Sequence, residues 1–156
     1  MKAIVVHEYG GPEVLKWEEY PDPVPGHGEV LVRVAAASVN PIDDKRRAGL
    51  TKDFYPIRFP GLIGIDMSGT VVKVGPGVVT FTAGNRVFAM ADNTYAELCV
   101  VKADVLADVP VGLDLLQAAA LPLEWTPQLR QANKTHFSAN RELSYGSEST
   151  EVHAGV

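Results

Sequence analysis

Cysteine and long apolar runs are what this sequence most lacks. Cys99 is the single cysteine in 156 residues, so an intramolecular disulfide is excluded and a reducing, cytoplasmic setting is the simplest expectation. No run approaches the roughly 18 apolar residues that a bilayer-spanning helix needs. The apolar run at residues 3–6 is also too short for a signal peptide. We therefore expect a soluble protein without a membrane segment.

Positive charge is also in short supply. Lys and Arg number 14 against 19 Asp and Glu, which gives a net charge of −5, whereas a nucleic-acid-binding surface needs clustered excess base. Nucleic acid is therefore not an expected partner. The basic cluster Lys45-Arg46-Arg47 has two interpretations. It is either a solvated helix face, which is commoner, or a contact to an anion or a cofactor phosphate.

Two kinds of site lack their usual residues. A catalytic zinc needs three Cys, His or carboxylate ligands, but the one cysteine stands alone and the four histidines are scattered along the sequence. No metal is expected. A dinucleotide-binding fold needs a strand, a Gly-x-Gly-x-x-Gly turn and a helix. The near matches that begin at Gly26 and Gly75 lack the third glycine, so we interpret both as turns and expect no complete Rossmann domain.

Turn residues are abundant, with 14 Gly and 11 Pro that mostly separate short apolar runs. This pattern is typical of many short strands joined by tight turns. The expected strands are 3–6, 14–20, 29–37, 68–74, 86–90 and 95–101, with a further one within 102–107. Helices are expected at 43–48, followed by Gly49, and at 114–121, which Pro122 should end. The sum is a mainly β fold, a partly open β-barrel with two or three short helices.

Three blocks, in order, carry a resemblance to a known family. They are Ser38-Val39-Asn40-Pro41-Ile42-Asp43 with Lys45-Arg46-Arg47-Ala48-Gly49 behind it, the glycine-punctuated stretch 61–75, and Gly84-Asn85-Arg86-Val87-Phe88. Residues 1–123 thereby resemble the GroES-like catalytic domain of medium-chain dehydrogenases/reductases. The nearest branch is the zinc-free quinone oxidoreductases and alkenal (enone) reductases.

The resemblance also implies a nucleotide-binding domain that starts near residue 123. Residues 124–156 do not look like one, because they are polar and show no period of 2 or 3.6 residues. We expect this segment to be an atypical tail, truncated or divergent, and poorly ordered.

The chemistry that the resemblance implies is hydride delivery from NADPH to a quinone or to the β-carbon of an α,β-unsaturated carbonyl. Zinc enzymes of the superfamily carry Cys and His where this sequence has Asn40 and Ile65, so zinc-independent chemistry is implied. The resemblance assigns Asn40 to the cleft beside the nicotinamide and the substrate, as a catalytic and cofactor-binding residue. An Asn before Pro is also a good turn former.

The other candidates have two interpretations each. Lys45 either meets a cofactor phosphate or, more commonly for such a residue, faces solvent. Phe54 and Tyr55 form either the aromatic wall of a substrate cleft or anchors of their loop. Asp66 is either a general acid or, as we favour, a buried structural carboxylate bonded to backbone N–H groups.

Two functions follow from these residues. The first is an oxidoreductase represented by its catalytic domain, inactive on its own. The second is a non-catalytic GroES-like module that binds a partner or self-associates as a homo-oligomer, because an uncovered apolar surface promotes association. Whether the 156-residue chain is itself an enzyme stays open.

Overall fold

The computed structural model describes residues 1–124, and this range holds eight strands and three short α-helices. The strands are β1 (Lys2–Val6), β2 (Lys16–Glu19), β3 (Glu29–Ala36), β4 (Gly61–Leu62), β5 (Asp66–Val74), β6 (Arg86–Met90), β7 (Leu98–Lys102) and β8 (Ala107–Asp108). The helices are α1 (Pro41–Arg47), α2 (Leu115–Ala118) and α3 (Leu121–Glu124), and single 3-10 turns occur at Pro12–Val14 and Ala103–Val105. None of these helices has the length and apolar character needed to cross a membrane.

The strands form two antiparallel sheets. The smaller sheet has the order β2-β1-β4, and the larger one has the order β7-β3-β5-β6-β8. Neither sheet closes on itself along its own edges, so the predicted mainly β, partly open architecture with few short helices is confirmed.

The main core lies on one face of the larger sheet, and the alternation in the sequence explains why. In β3, Val30 and Val32 are completely buried, whereas Leu31 between them is partly exposed and Arg33 after them is exposed. Cys99 and Val101 alternate in the same way in β7, which pairs with β3. Side chains of successive residues point to opposite faces of a strand, and full burial of a Val contributes about 1.5–3 kcal/mol. This face therefore accounts for much of the stability of the fold.

Helix α1 begins earlier than predicted, at Pro41 instead of residue 43. Proline suits the first helical position, because its backbone nitrogen has no hydrogen to leave unpaired and its φ is already helical. The predicted charge order is present, with acidic residues in the first turn and basic residues in the last. Gly49 follows at φ +78°, a conformation that ends a helix and that glycine adopts without strain.

Three boundary predictions need correction. The helix expected at 114–121 is instead two four-residue helices, α2 and α3, and Pro122 does not end a helix, since it is the second residue of α3, where proline is tolerated. Residues 103–105 form a 3-10 turn, so the strand expected within 102–107 shrinks to β8. The two-residue β4 was not predicted, because only its pairing with β1 defines it as a strand. The prediction of a poorly ordered tail at 124–156 lies, beyond Glu124, outside the described residues.

Candidate functional site

A fully buried carboxylate, Asp66, organises the first cluster of polar groups. The preceding Gly64 has φ +93°, and a Cβ there would come within 2.4 Å of Thr94 Oγ1. Glycine is therefore needed at this turn. The turn puts Ile63 and Ile65 among the buried residues and delivers Asp66 to the start of β5.

Three donors meet the Asp66 carboxylate. Oδ1 accepts from the Ser38 backbone N–H at 2.9 Å. Oδ2 accepts from Asn40 Nδ2 at 2.9 Å and lies 2.8 Å from the Ser38 hydroxyl. Burying a charge is tolerated when hydrogen bonds replace its water. Asp66 thus holds the chain just before α1 in place, as the favoured structural interpretation expects, although only one of its donors is a backbone N–H.

The Ser38 hydroxyl has a choice of acceptor. Its Oγ lies 2.8 Å from Asp66 Oδ2 and 2.9 Å from the Ala119 carbonyl oxygen, but a hydroxyl carries a single proton. It donates to one of them at a time. Ser38 therefore couples the carboxylate to the segment between α2 and α3.

A second carboxylate, Asp43 of α1, contacts the end of the chain that leads into α1. Its Oδ2 accepts from the Asn40 backbone N–H and from the Tyr95 hydroxyl, each at 2.9 Å. The Tyr95 hydroxyl also lies 3.1 Å from the Ser38 carbonyl oxygen. The sequence signal for Asp43 was its position three residues after an Asn at a helix start. The contact with Tyr95, 52 residues away in the chain, had no such signal.

Burial raises the pKa of the Asp43 carboxyl, and the negative charge of Asp66 adds to this. The hydrogen bonds from Asn40 and Tyr95 oppose the rise. Asp43 Oδ1 is buried and has no hydrogen-bond partner within residues 1–124. Burial, followed by the charge of Asp43, also raises the pKa of Tyr95, so its hydroxyl remains a hydrogen-bond donor at neutral pH.

The predicted site residues fall in different places. Asn40 is 8% exposed and belongs to the Asp66 cluster. Lys45 is exposed on α1, and the Phe54 side chain is 77% exposed. Tyr55 lies in a second cluster at the last turn of α1, where its hydroxyl donates to Asp92 and its ring packs against Arg46. The structure therefore brings Asn40 together with Asp43, Asp66 and Tyr95, and groups Tyr55 with Arg46 and Asp92.

Residues 1–124 can be tested for a metal site and for a dinucleotide site. No three or more His, Cys, Asp or Glu side chains in this range come together in a group that could hold a metal ion. A dinucleotide pyrophosphate normally binds where a strand leads through Gly-x-Gly-x-x-Gly into a helix, and the same range contains no such sequence. Residues 1–124 therefore contain no pyrophosphate site of this kind.

Comparison with known sequences identifies the domain. Residues 26–111, more than half of the chain, match the alcohol dehydrogenase GroES-like domain. The chain belongs to this family. The predicted relationship to the medium-chain dehydrogenases/reductases is thereby confirmed, and the blocks around Asn40, Asp66 and Arg86 all lie within the matched GroES-like domain.

Individual relatives indicate which branch of the family this chain is most similar to among those compared. An NADPH-dependent alkenal/one oxidoreductase of Arabidopsis thaliana, named as chloroplastic, is 36% identical over 154 residues that cover 92% of this chain and 40% of the relative. A quinone oxidoreductase of Sus scrofa is 37% identical over 128 residues, covering 80% of this chain and 38% of the relative. The native structure of a mycobacterial quinone oxidoreductase matches with a TM-score of 0.70 at 42% identity, covering 76% of this chain and 36% of that one. The chain spans about two fifths of the length of the curated relatives it matches.

Proposed function

We propose that this GroES-like domain is the catalytic-domain part of an NADPH-dependent, zinc-independent oxidoreductase that reduces a quinone or an α,β-unsaturated carbonyl. The observation that carries the proposal is the fixed amide of Asn40, whose Nδ2 donates to Asp66 Oδ2 at 2.9 Å. The names of the relatives supply the reaction class and the cofactor. The proposal includes a cytoplasmic location, although one of these relatives is named as chloroplastic.

The role that we assign to Asn40 is to orient the reacting groups. A side-chain amide has two N–H donors and one acceptor oxygen, and Asp66 engages one of the donors. The amide plane is thereby fixed. Its oxygen faces the Asp43 backbone N–H in a capping box, so the second N–H of Nδ2 is the position that we assign to a reacting group. The chemistry that NADPH supplies when bound is hydride transfer. A preorganised donor beside a developing enolate or semiquinone oxygen lowers the barrier to that transfer.

The first test separates the 156-residue chain from a complete enzyme. We expect no NADPH binding by calorimetry and no turnover for the chain alone. A chimera that joins residues 1–124 to the nucleotide-binding part of the mycobacterial relative should reduce a quinone or an enone with NADPH. Its activity should persist in the presence of a zinc chelator. A folded chimera that binds NADPH but reduces neither substrate class would contradict the proposal, and turnover by the chain alone would contradict its inactivity.

The assignment of Asn40 is tested in the same chimera. Asn40→Ala should lower kcat by about 100-fold, the effect typical of removing one preorganised donor. Asn85→Ala deletes the same side chain from a turn outside the Asp66 cluster and serves as the matched control. Equal activity of both variants would remove Asn40 from the reaction.

The assignments of Lys45, Phe54 and Tyr55 have their own measurements. If Lys45 contacts the cofactor phosphate, Lys45→Gln should raise KM for NADPH and leave KM for NADH unchanged. If Phe54 and Tyr55 form the aromatic wall of the substrate cleft, replacing either with Ala should raise KM for quinone but not for NADPH. An unchanged KM would favour the other interpretation of the residue, which is solvent exposure for Lys45 and loop anchoring for Phe54 and Tyr55.

A specific observation also favours the second candidate function, a self-associating or partner-binding module. Leu50 and Phe54 are 73% and 77% exposed, and Leu116 is 75% exposed. Exposed apolar surface promotes association when it is contiguous. Sedimentation across a range of concentrations tests this, with Leu50→Ser and Phe54→Ser expected to weaken any association. A monomer at every concentration would argue against a homo-oligomer.

A further inference from the structure

A cleft separate from the Asp66 cluster lies beside the last turn of α1. It has a volume of about 580 Å³, within the range of small-molecule sites. Arg46, Tyr55, Arg58 and Asp92 supply polar side chains to its lining. Its apolar lining includes Ile57, Leu62, Leu98 and Val100. We call this feature the Arg46 cleft.

Arg46 is the unusual residue of this lining. Its side chain is only 7% exposed, although arginine is almost never so deeply buried without full pairing. Its one ion pair within residues 1–124 is long, with Nη1 at 3.3 Å from Asp92 Oδ1. The guanidinium carbon lies 3.7 Å from the centroid of the Tyr55 ring.

The guanidinium keeps an unused donor. Arg46 Nε is buried and has no hydrogen-bond partner among residues 1–124. A buried donor without an acceptor costs free energy, and such groups in native proteins call for an explanation. A ligand oxygen in the cleft would supply the missing acceptor.

Charge around the cleft favours an anion. The described lining residues include two guanidinium groups, on Arg46 and Arg58, against the one carboxylate of Asp92. Met1 also lines the cleft, and its amine is already paired with Asp22. This local excess of positive charge stands out in a chain whose net charge is −5. It selects for anionic ligands and against cations.

We propose that the Arg46 cleft binds a small organic carboxylate with an apolar body. A guanidinium fork matches the two oxygens of a carboxylate, and the apolar side chains of Ile57, Leu62, Leu98 and Val100 form a surface for the rest of the ligand. Arg46 Nε–H donates to one carboxylate oxygen in the plane of the guanidinium, and the Tyr55 ring packs on one face of that plane. The proposal goes beyond the oxidoreductase function, because it requires neither NADPH nor reduction.

The test uses the full 156-residue chain labelled with nitrogen-15. The probe is 3-phenylpropanoate, and 3-phenylpropan-1-ol is its neutral control. We expect saturable binding of the acid, with a shift of the Arg46 Nε–H signal, and at least about tenfold weaker binding of the alcohol. Failure of the acid to bind, equal binding of both compounds, or shifts confined to residues outside the cleft would each overturn the proposal.

Three variants sharpen the test. Arg46→Lys keeps the charge but removes the fork, and should weaken binding about tenfold. Asp92→Asn removes the competing charge and should tighten binding severalfold, a gain that misfolding cannot imitate. Lys52→Gln deletes an exposed charge that does not line the cleft and should leave the affinity unchanged. If Arg46→Lys fails to fold, the direction of the Asp92→Asn effect decides, and unchanged or weaker binding in that variant refutes the proposal.

Discussion

Replacing Asp66 with Asn is the sharpest test of how the Asp66 cluster holds together. The substitution conserves shape but exchanges one acceptor oxygen for an NH₂ group, at a side chain that is 0% exposed. In the more favourable orientation the new amide oxygen keeps the Oδ2 contacts, and its NH₂ then faces the Ser38 backbone N–H. The alternative orientation leaves the Asn40 amide facing another donor.

The size of the expected destabilisation follows from the hydrogen bonds that the substitution removes. At least one hydrogen bond to a charged group is lost, worth about 1.5–3 kcal/mol, and one buried donor is left unpaired at a similar cost. Relief from burying a charge offsets part of the sum. We therefore expect a loss of about 2–4 kcal/mol in the free energy of unfolding, measured by urea titration.

The control is Asp53→Asn at an exposed loop position, which should stay within about 0.5 kcal/mol of the natural protein. An equally small effect of Asp66→Asn would refute the reasoning. It would mean that the three donors find other acceptors, as the Ser38 hydroxyl can with the Ala119 carbonyl oxygen.

Three further predictions follow from the same structure. Because the folded state raises the pKa of Asp43, it binds more protons than the unfolded chain between that value and the ordinary Asp value of about 3.9. Stability should therefore fall as pH rises through this window, and urea midpoints of Asp43→Asn should fall less. Gly64→Ala should cost about 2–4 kcal/mol by urea titration, since φ is +93° and the new Cβ would clash. Gly28→Ala, at φ +75° with nothing within 4 Å, should cost only about 1 kcal/mol. Burial raises the pKa of Cys99 to about 12, so a disulfide reagent at pH 8 should label the folded chain far more slowly than the unfolded one. Equal rates would show that the thiol is accessible.

Local rules in the sequence recovered most of the secondary structure. The alternation in β3 and the charge order of α1 were both readable, because each depends on residues close together in the chain. Asp114 was predicted to begin the next helix, and its carboxylate accepts from the Gln117 backbone N–H at 2.7 Å. The errors were of the opposite kind. Strand β4 is defined by its pairing with residues of β1 that lie about 56 positions earlier in the chain. No local sequence pattern predicts that pairing.

The candidate site likewise has a part that the sequence predicted and a part that it did not. Asn40 could be singled out from its block of neighbours, and the family resemblance gave it a role. The partners that hold it could not be assigned, since Asp66 lies 26 residues away and Tyr95 reaches Asp43 across 52 residues. For the same reason, the interpretation of Lys45-Arg46-Arg47 as a solvated helix face was incomplete. Lys45 is exposed, whereas Arg46 is buried against Tyr55 and Asp92.

The sequence by itself determined the mainly β character, the turns, the short helices and the family of this protein. These properties follow from residue periodicity, from the φ preferences of glycine and proline, and from ordered motifs. Only the tertiary structure decided which polar groups meet. The hydrogen bonds around Asp66 and the burial of Arg46 join segments far apart in sequence, and packing of the two sheets and α1 sets those distances. Burial then gives each group its energetic weight, because a carboxylate or guanidinium removed from water depends on the partners that the fold supplies.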